Sequence, residues 1–207
     1  MSDPTPEASL RLAAFDFDGT VTRRDTLLGF LVHAAGAART AAAAARHSLD
    51  LAKVLADDST RDSAKERVVG AALRGLTATQ LDERGEDYAK RLPSRFRPDV
   101  VEQIKWHREE DHELVMVSAS LVYYLRPVAR ELGFAEVIGV ELEIGEDGLT
   151  TGRLARANVR GDEKAARLRE WLGGREVAEM WAYGNSSGDE ALLAMADHPV
   201  WVGKRAG

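Results

Sequence analysis

Short apolar runs alternate with helical patterns along most of the chain. The first run, "LRLAAFDFD", places Phe15 and Phe17 on one face of a strand, with Asp16 and Asp18 on the other. Later runs in "ELVMVSAS", "EVIGV", "EMWAYGNS" and "PVWVG" are separated by segments with an apolar helical stripe. Strands that alternate with helices form mostly parallel sheets covered on both faces. We therefore predict an α/β fold with a three-layer α/β/α, Rossmann-like core.

Two segments depart from this alternation. "EVIGVELEIGEDGLTTGRLA" predicts a strand that continues into a hairpin with Asp147-Gly148 at its turn. From about Asp25 to Leu92 strand patterns give way to helix formers, and Thr77 with Gln80 resembles a capping box. Because this helical block directly follows the first strand, we interpret it as an inserted cap. The predicted division is a core of residues 1–22 and 93–207 with a helical cap at 23–92.

Composition narrows the range of functions. The chain has 207 residues and a net charge of −6, from 28 basic and 34 acidic residues, which gives no electrostatic basis for binding nucleic acid. It contains no cysteine, so disulfides and thiolate metal sites are excluded, and this suits a cytoplasmic protein. The N-terminus lacks the pattern of a signal peptide and is expected to be a flexible tail. No apolar stretch reaches the roughly 20 residues of a membrane span, so we expect no stable membrane insertion.

Polar side chains follow three of the predicted strands. Asp16 and Asp18 end the first, Ser118 ends the "LVMV" strand, and Asn185 and Asp189 follow the "MWAY" strand. In open parallel sheets, ligands bind at the carboxyl ends of the strands. These side chains are therefore expected to meet at one edge of the sheet.

A lysine completes this set. Lys164 lies in the first predicted turn of the helix after Gly161, between the second and third of these strands. Oxygen ligands without histidine or cysteine favour a hard cation such as Mg²⁺. The cation and the ammonium group would neutralise a phosphoryl group, one aspartate would attack it, and the other would transfer protons. Each residue alone has an ordinary structural explanation, but the ordered combination favours phosphoryl transfer.

Four motifs carry a resemblance to a known family. The strand ending "FDFDGT", the strand ending "VMVSAS", the lysine of "GDEK" and the acidic loop "YGNSSGDE" occur in the order of the haloacid dehalogenase-like hydrolase superfamily. The helical insert after the first motif is similar to that of its phosphoserine-phosphatase-like branch, subfamily IB. The resemblance implies a phosphoric monoester hydrolase that acts on a small phosphate ester and requires Mg²⁺.

The resemblance also implies a role for each motif residue. Asp16 would be the nucleophile and Asp18 the general acid/base, while Ser118 and Lys164 would hold the phosphoryl oxygens. Thr20 and Ala119, beside them, are candidate substrate-binding residues. The implied metal ligands are the following: Asp16, the backbone carbonyl of Asp18, Asn185 and Asp189.

Two features leave the substrate and the activity open. Asn185 stands where the family usually has aspartate, which removes one negative charge and keeps a non-catalytic phospho-ligand binder as an alternative. Asp25 and Arg67 occupy the positions where phosphoserine phosphatases bind the amino and carboxylate groups. A helix cap and a solvated helix residue explain them equally well. A small phosphorylated metabolite is the preferred substrate, with phosphoserine, phosphatidylglycerophosphate and a phosphotransferase activity as alternatives.

Two histidines have a spacing that is poor for a shared metal ion. His107 and His112 lie five residues apart on a predicted helix, so we expect their rings to face different directions and to form no metal pair.

Overall fold

A five-stranded parallel sheet forms the centre of the molecule in the computed structural model, which describes residues 10–47 and 58–203, with the main chain alone at 58–64. Its strand order is β3-β2-β1-β6-β7, and β4 pairs with β5 in a separate antiparallel hairpin. The strands are β1 (Leu10–Phe15), β2 (Glu113–Leu121), β3 (Glu136–Val140), β4 (Leu142–Ile144), β5 (Thr150–Leu154), β6 (Val177–Gly184) and β7 (His198–Trp201). The predicted α/β fold with a mostly parallel sheet is confirmed.

Helices connect these strands. They are α1 (Leu27–Ala35), α2 (Ala37–Arg46), α3 (Asp58–Leu73), α4 (Ala78–Ala89), α5 (Pro98–Glu109), α6 (Val122–Leu132), α7 (Asp162–Leu172) and α8 (Glu190–Leu193). The first four lie between β1 and β2, where the sequence predicts a helical block. The predicted capping box is present, since Gln80 N donates to Thr77 Oγ1 and Thr77 N donates to Gln80 Oε1, each at 3.1 Å.

The central strand brings the predicted site residues together. β1 is buried from Leu12 to Phe15, as expected for a strand covered on both faces. At its carboxyl end, Phe15 lies opposite Met116 of β2 and Tyr183 of β6. The residues that follow all three strands therefore share one edge of the sheet.

β2 is longer than its apolar run. It continues to Leu121, so Ser118 and Ser120 lie within the strand, whereas the sequence predicts them at its end. Pairing with β1 stops at Met116, and pairing with β3 shifts register between Val117 and Leu121. The two serines therefore extend past the edge of β1 while remaining in extended backbone.

The β4–β5 hairpin packs against the helical block. Thr150 N donates to Leu76 O at 2.8 Å, and Gly75 N donates to Thr150 O at 2.9 Å. A Cβ at Gly70 of α3 would lie 1.9 Å from the carbonyl oxygen of Gly152, so the helix and the hairpin approach more closely than another residue would allow. The hairpin thus fixes the C-terminal end of α3, a contact that the sequence pattern does not indicate.

No single described helix is long and apolar enough to cross a membrane; α1 and α2 pass this test only as a pair, bent by 119°. The predicted N-terminal tail, residues 1–9, lies outside the described residues.

The expectation that the rings of His107 and His112 face different directions is wrong. Nδ1 of His107 and Nδ1 of His112 are 2.7 Å apart, and His107 Nε2 is 2.9 Å from the Tyr183 hydroxyl. α5 ends at Glu109, and Asp111 then adopts a positive φ of 56°. Because His112 lies beyond the helix, helical spacing does not apply, and the turn brings the two rings together.

Candidate active site

A buried lysine lies between two aspartates at the carboxyl edge of the sheet. Lys164 Nζ donates to Asp16 Oδ1 at 2.6 Å and to Asp189 Oδ1 at 2.5 Å. Asp16 directly follows β1, and its backbone N donates to Tyr183 O of β6 at 2.9 Å. Lys164 lies in the first turn of α7, after Gly161, and only 2% of its side chain is exposed. The structure therefore joins three of the predicted site residues in one ion-paired group.

Asp189 also holds the loop that follows β6. Its Oδ2 accepts hydrogen bonds from Asn185 N and Ser186 N at 3.0 Å and from the Ser186 hydroxyl at 2.9 Å. Both oxygens of this carboxylate are thus engaged by Lys164 and by the loop. Asp189 lines the cavity but has no oxygen without a partner, so its contacts are those of a group that orients Lys164 and the loop at Asn185.

The second aspartate of the first motif points toward α1. Asp18 Oδ1 accepts hydrogen bonds from the backbone N and the hydroxyl of Thr26, each at 2.7 Å. Asp18 Oδ2 accepts a hydrogen bond from the Ser120 hydroxyl. Tyr88 of α4 donates to Thr26 O at 2.8 Å, which fixes the residue that precedes α1. Asp16 and Asp18 therefore lie in unlike surroundings, with an ammonium partner for the first and neutral donors for the second.

Gly19 and Thr20 connect the first motif to the fourth. Gly19 has φ of +85°, and a Cβ there would lie 2.1 Å from Asn185 Nδ2, so both conformation and space require glycine. The Thr20 hydroxyl lies 2.9 Å from Asp16 Oδ2 and 3.3 Å from Asn185 Oδ1. A side-chain oxygen of Asp16 and one of Asn185 thus both lie within 3.3 Å of one hydroxyl group.

The second motif supplies a buried serine. Ser118 is 1% exposed, and its hydroxyl accepts a hydrogen bond from Ser120 N at 3.2 Å. Ala119 adjoins it, and both residues line the same cavity as Asp16, Asp18 and Lys164. Apart from Thr20 and Asn185, every residue predicted from the four motifs therefore lines this cavity.

The cavity has a volume of about 830 Å³ and extends from these groups to α1, α2 and α3. Asp25 lines it, but its Oδ1 caps α1 by accepting a hydrogen bond from Leu27 N at 2.8 Å, and its Oδ2 lies 3.3 Å from Lys65 Nζ. Lys65 also lines the cavity. Arg67 is exposed and is not among the lining residues that the structure describes. Of the two predicted substrate-binding residues at this end, the structure brings only Asp25 to the site.

The electrostatics of the two aspartates differ. Burial raises the pKa of Asp16, an effect that Lys164 opposes and Asp189 reinforces. Burial, and then the charge of Asp25, raise the pKa of Asp18 to about 6, although the hydrogen bonds from Ser120 and Thr26 lower it. Asp18 is thus a carboxyl group that can hold a proton near neutral pH, as a general acid must.

Lys164 and Asp189 remain charged. Burial alone lowers the pKa of Lys164, but Asp16 and Asp189 outweigh it and raise the pKa overall. Burial raises the pKa of Asp189. Lys164 and the hydrogen bonds from Asn185 and Ser186 lower it by more, so the pKa of Asp189 is lowered overall. When Asp16 is ionised, one ammonium group between two carboxylates leaves an excess of negative charge in a buried site, which a cation would neutralise.

The donor set fits a hard cation. The groups near Thr20 are the carboxylate of Asp16 and the side-chain oxygen of Asn185, and oxygen-only donors are those that Mg²⁺ prefers. Among the described residues, no three carboxylates or imidazoles converge on one point. A cation here would therefore depend on the amide and backbone oxygens as well as on Asp16, and the side chains of Asp18 and Asp189 point to other partners.

Comparison with known proteins identifies the family. The model for haloacid dehalogenase-like hydrolases matches residues 13–194, a span that contains all four motifs. The chain belongs to the haloacid dehalogenase-like hydrolase family. Protein CicA of Caulobacter vibrioides (strain NA1000 / CB15N) is 36% identical over 199 residues, which cover 94% of this chain and 88% of CicA.

Two further similar proteins have an activity stated in their names. Histidinol-phosphatase of Neisseria meningitidis serogroup C (strain 8013) is 28% identical over 104 residues, covering 48% of this chain and 47% of that enzyme. A substrate-bound phosphoserine phosphatase complex shares the fold with a TM-score of 0.63 and 17% identity, covering 92% of this chain and 84% of that one. The predicted family and fold are thus confirmed, and a phosphoric monoester hydrolase agrees with both.

Sequence reasoning missed three residues of this family member's site. Ser120 and Thr26 hold the carboxylate of Asp18, and Lys65 pairs with Asp25. Ser120 could have been found, because residues two apart on a strand share a face and Ser118 is already in the motif. Thr26 and Lys65 lie in the helical block, where sequence spacing does not indicate which side chains meet β1.

Proposed function

We propose that the protein is a Mg²⁺-dependent phosphomonoester hydrolase that forms an aspartyl phosphate on Asp16. The observation that carries this proposal is the buried group in which Lys164 bonds Asp16 and Asp189. Such a group places a positive charge beside a carboxylate at a cavity wall, where a phosphoryl group needs both charge neutralisation and a nucleophile. Family membership and the two phosphatases named above support the same reaction class.

The proposed reaction has two balanced steps. An oxygen of Asp16 attacks phosphorus while the bond to the ester oxygen breaks, and Asp18 gives its proton to the departing alcohol. Asp18, now ionised, then accepts a proton from water as the water oxygen attacks phosphorus and the bond to Asp16 breaks. Inorganic phosphate leaves, and both aspartates return to their starting states.

The remaining groups position the phosphate. Lys164 and the Ser118 hydroxyl, which both line the cavity, would bind its oxygens. Mg²⁺, held by Asp16, Asn185 and the backbone carbonyl of Asp18, would supply positive charge to the phosphoryl oxygens. Asp189 would support the metal site by orienting Asn185 and Lys164.

The helices between β1 and β2 support a cap at residues 23–92 on a core of 1–22 and 93–207. The cavity is lined both by Asp16, Ser118 and Lys164 and by residues of α1 and α3, which supports a cap over the site. We propose that the enzyme acts in the cytoplasm on a soluble ester. Phosphoserine is disfavoured, because the arginine proposed for its carboxylate, Arg67, is exposed and does not line the cavity.

Phosphate release from 4-nitrophenyl phosphate with Mg²⁺ tests the function. We expect turnover in the wild type, loss in Asp16→Asn and loss on chelation of the metal. If phosphate binds but turnover stays at background, the alternative of a phospho-ligand binder, motivated by Asn185, replaces this proposal. Beryllium fluoride separates the two, because it adds to Asp16 only where that carboxylate is an accessible nucleophile.

A control variant and an acceptor complete the test. Asn185→Asp restores the charge that the family usually has, and we expect it to lower the Mg²⁺ concentration needed for half-maximal activity. Glycerol in the assay detects phosphotransfer, since substrate consumption would then exceed phosphate release.

A further inference from the structure

We infer that the substrate is a soluble phosphomonoester whose alcohol portion is a compact apolar group, such as a short alkyl chain or a ring. This inference rests on the proposed function and concerns the end of the cavity away from Asp16. A volume of about 830 Å³ lies near the upper end of ligand pockets, which span roughly 300–1,000 Å³, so the cavity accepts far more than a phosphoryl group.

The two ends of the cavity differ in chemistry. The end at the sheet is lined by charged and hydroxyl groups of the motifs, together with Asn158 and Arg160. Toward the helices, the described lining residues are chiefly apolar: Leu27, Leu28, Leu31, Ala44, Val68 and Val69. Apolar pocket walls with a few polar groups at one end bind ligands divided in the same way.

The two charged side chains that the structure describes at the apolar end, Asp25 and Lys65, are already paired. Asp25 Oδ2 lies 3.3 Å from Lys65 Nζ, and Asp25 Oδ1 caps α1. A substrate carboxylate would have to compete with Asp25 for Lys65, and a substrate ammonium would have to compete with Lys65 for Asp25. This end therefore favours neither group of an amino acid, whereas an apolar body needs no polar partner.

The exposure of α1 supports the same conclusion. Leu28 is 63% exposed although it lines the cavity, so an apolar side chain lies at the margin of the site in contact with water. Val32, one turn further along the same helix face, is 42% exposed and does not line the cavity. Burying Leu28 against a ligand would remove apolar surface from water, which is favourable in proportion to the area covered.

The series of ethyl, butyl and hexyl phosphate tests this inference. These esters have similar leaving groups, so differences in kcat/KM report binding of the alkyl chain. A fully buried methylene group contributes about a fourfold change. Because the cavity is open on one side, we expect a total increase of at least about tenfold from ethyl to hexyl phosphate, with phosphoserine no better than ethyl phosphate.

Two variants and one control locate the effect. Leu28→Ser should reduce the preference for hexyl over ethyl phosphate by about threefold or more, since it removes an apolar contact at the cavity margin. Val68→Thr, nearly the same shape, should reduce it in the same direction. Val32→Ser changes an exposed apolar residue of the same helix outside the cavity and should leave the preference unchanged.

The outcomes separate the inference from the function. Equal kcat/KM along the series, or a preference for phosphoserine, would overturn the apolar substrate while leaving phosphatase activity intact, provided that Asp16→Asn abolishes it. Higher activity on phosphatidic acid in vesicles than on hexyl phosphate would also overturn it, since the substrate would then be a lipid. If no ester is hydrolysed by the wild type, the proposed function itself fails.

Discussion

The proton on Asp18 should control the pH dependence of the first chemical step. Asp18 must be protonated in order to give a proton to the leaving alcohol. Its pKa in the structure is raised to about 6, chiefly by burial. Above that pH the protonated fraction falls about tenfold for each further pH unit, so kcat/KM should fall in the same way. Ser120 donates a hydrogen bond to the ionised carboxylate, which lowers the pKa of Asp18.

Removing that donor should move the profile in a defined direction. In Ser120→Ala the ionised form of Asp18 loses a hydrogen bond, so its pKa should rise. A hydrogen bond to a charged group is worth about 1.5 kcal/mol or more, and about 1.4 kcal/mol corresponds to one pKa unit. The inflection should therefore move from about 6 toward about 7, and at pH 8 the variant should have up to about tenfold higher kcat/KM than the wild type, if the geometry is retained.

The pH profile of kcat/KM on one alkyl phosphate measures this effect. Thr26→Val removes the hydroxyl that bonds the other oxygen of Asp18 and should move the inflection in the same direction. Ser94→Ala, which changes an exposed serine bonded only to Arg91 O among the described contacts, should leave it in place. An inflection that stays near 6 or moves to lower pH in Ser120→Ala would refute the assignment of Asp18 as the titrating acid.

Three further predictions concern stability and the metal site. Burial, and then the charge of His112, lower the pKa of His107 to about 4. Between pH 6.5 and 4 the unfolded chain protonates this ring and the folded chain does not. The free energy of unfolding should therefore fall by about 2 kcal/mol over this range. Urea denaturation should show this slope in the wild type and a smaller one in His107→Phe, and equal slopes would contradict the assignment. Gly19→Ala should lower the free energy of unfolding, measured by urea denaturation, by about 1–3 kcal/mol and weaken activation by Mg²⁺. Gly148→Ala, where φ is also positive but no atom lies near, should lower it only by the backbone strain and leave activation unchanged. Lys164→Met leaves two buried carboxylates without their cation, and should lower stability by about 3–5 kcal/mol and reduce phosphate release to background; turnover near the wild-type rate would exclude the proposed role.

Much of the fold and the core of the site could be predicted because they depend on local pattern. An apolar run followed by Asp16 and Asp18 indicates a buried strand and its polar end, and parallel pairing brings such ends together without knowledge of side-chain packing. Lys164 could be placed because Gly161 and the first turn of α7 direct it to the same edge. These are properties of chain order and periodicity.

The unpredicted features depend on turns and on contacts between helices. Helical spacing set the expectation for His107 and His112, but a turn at Asp111 brings their rings into contact. Arg67 and Lys65 lie two residues apart on α3, and only packing against α1 determines that Lys65 is the cation beside Asp25. A helical pattern does not fix the rotation of a helix about its axis when its neighbours are unknown.

Packing also links the proposed acid to the proposed substrate specificity. Thr26, which bonds Asp18, directly precedes α1, and Leu28 lies in the first turn of that helix. Tyr88 of α4 bonds the Thr26 carbonyl, and a Cβ at Gly29 would lie 2.3 Å from the Tyr88 hydroxyl, so α1 and α4 are closely packed here. One helix end, fixed in position by a second helix, therefore carries both a hydrogen-bond donor to the acid, Thr26, and one residue of the apolar wall, Leu28. Any movement of α1 that changes the fit of the alcohol portion must also change the hydrogen bonds to the carboxyl group that protonates it.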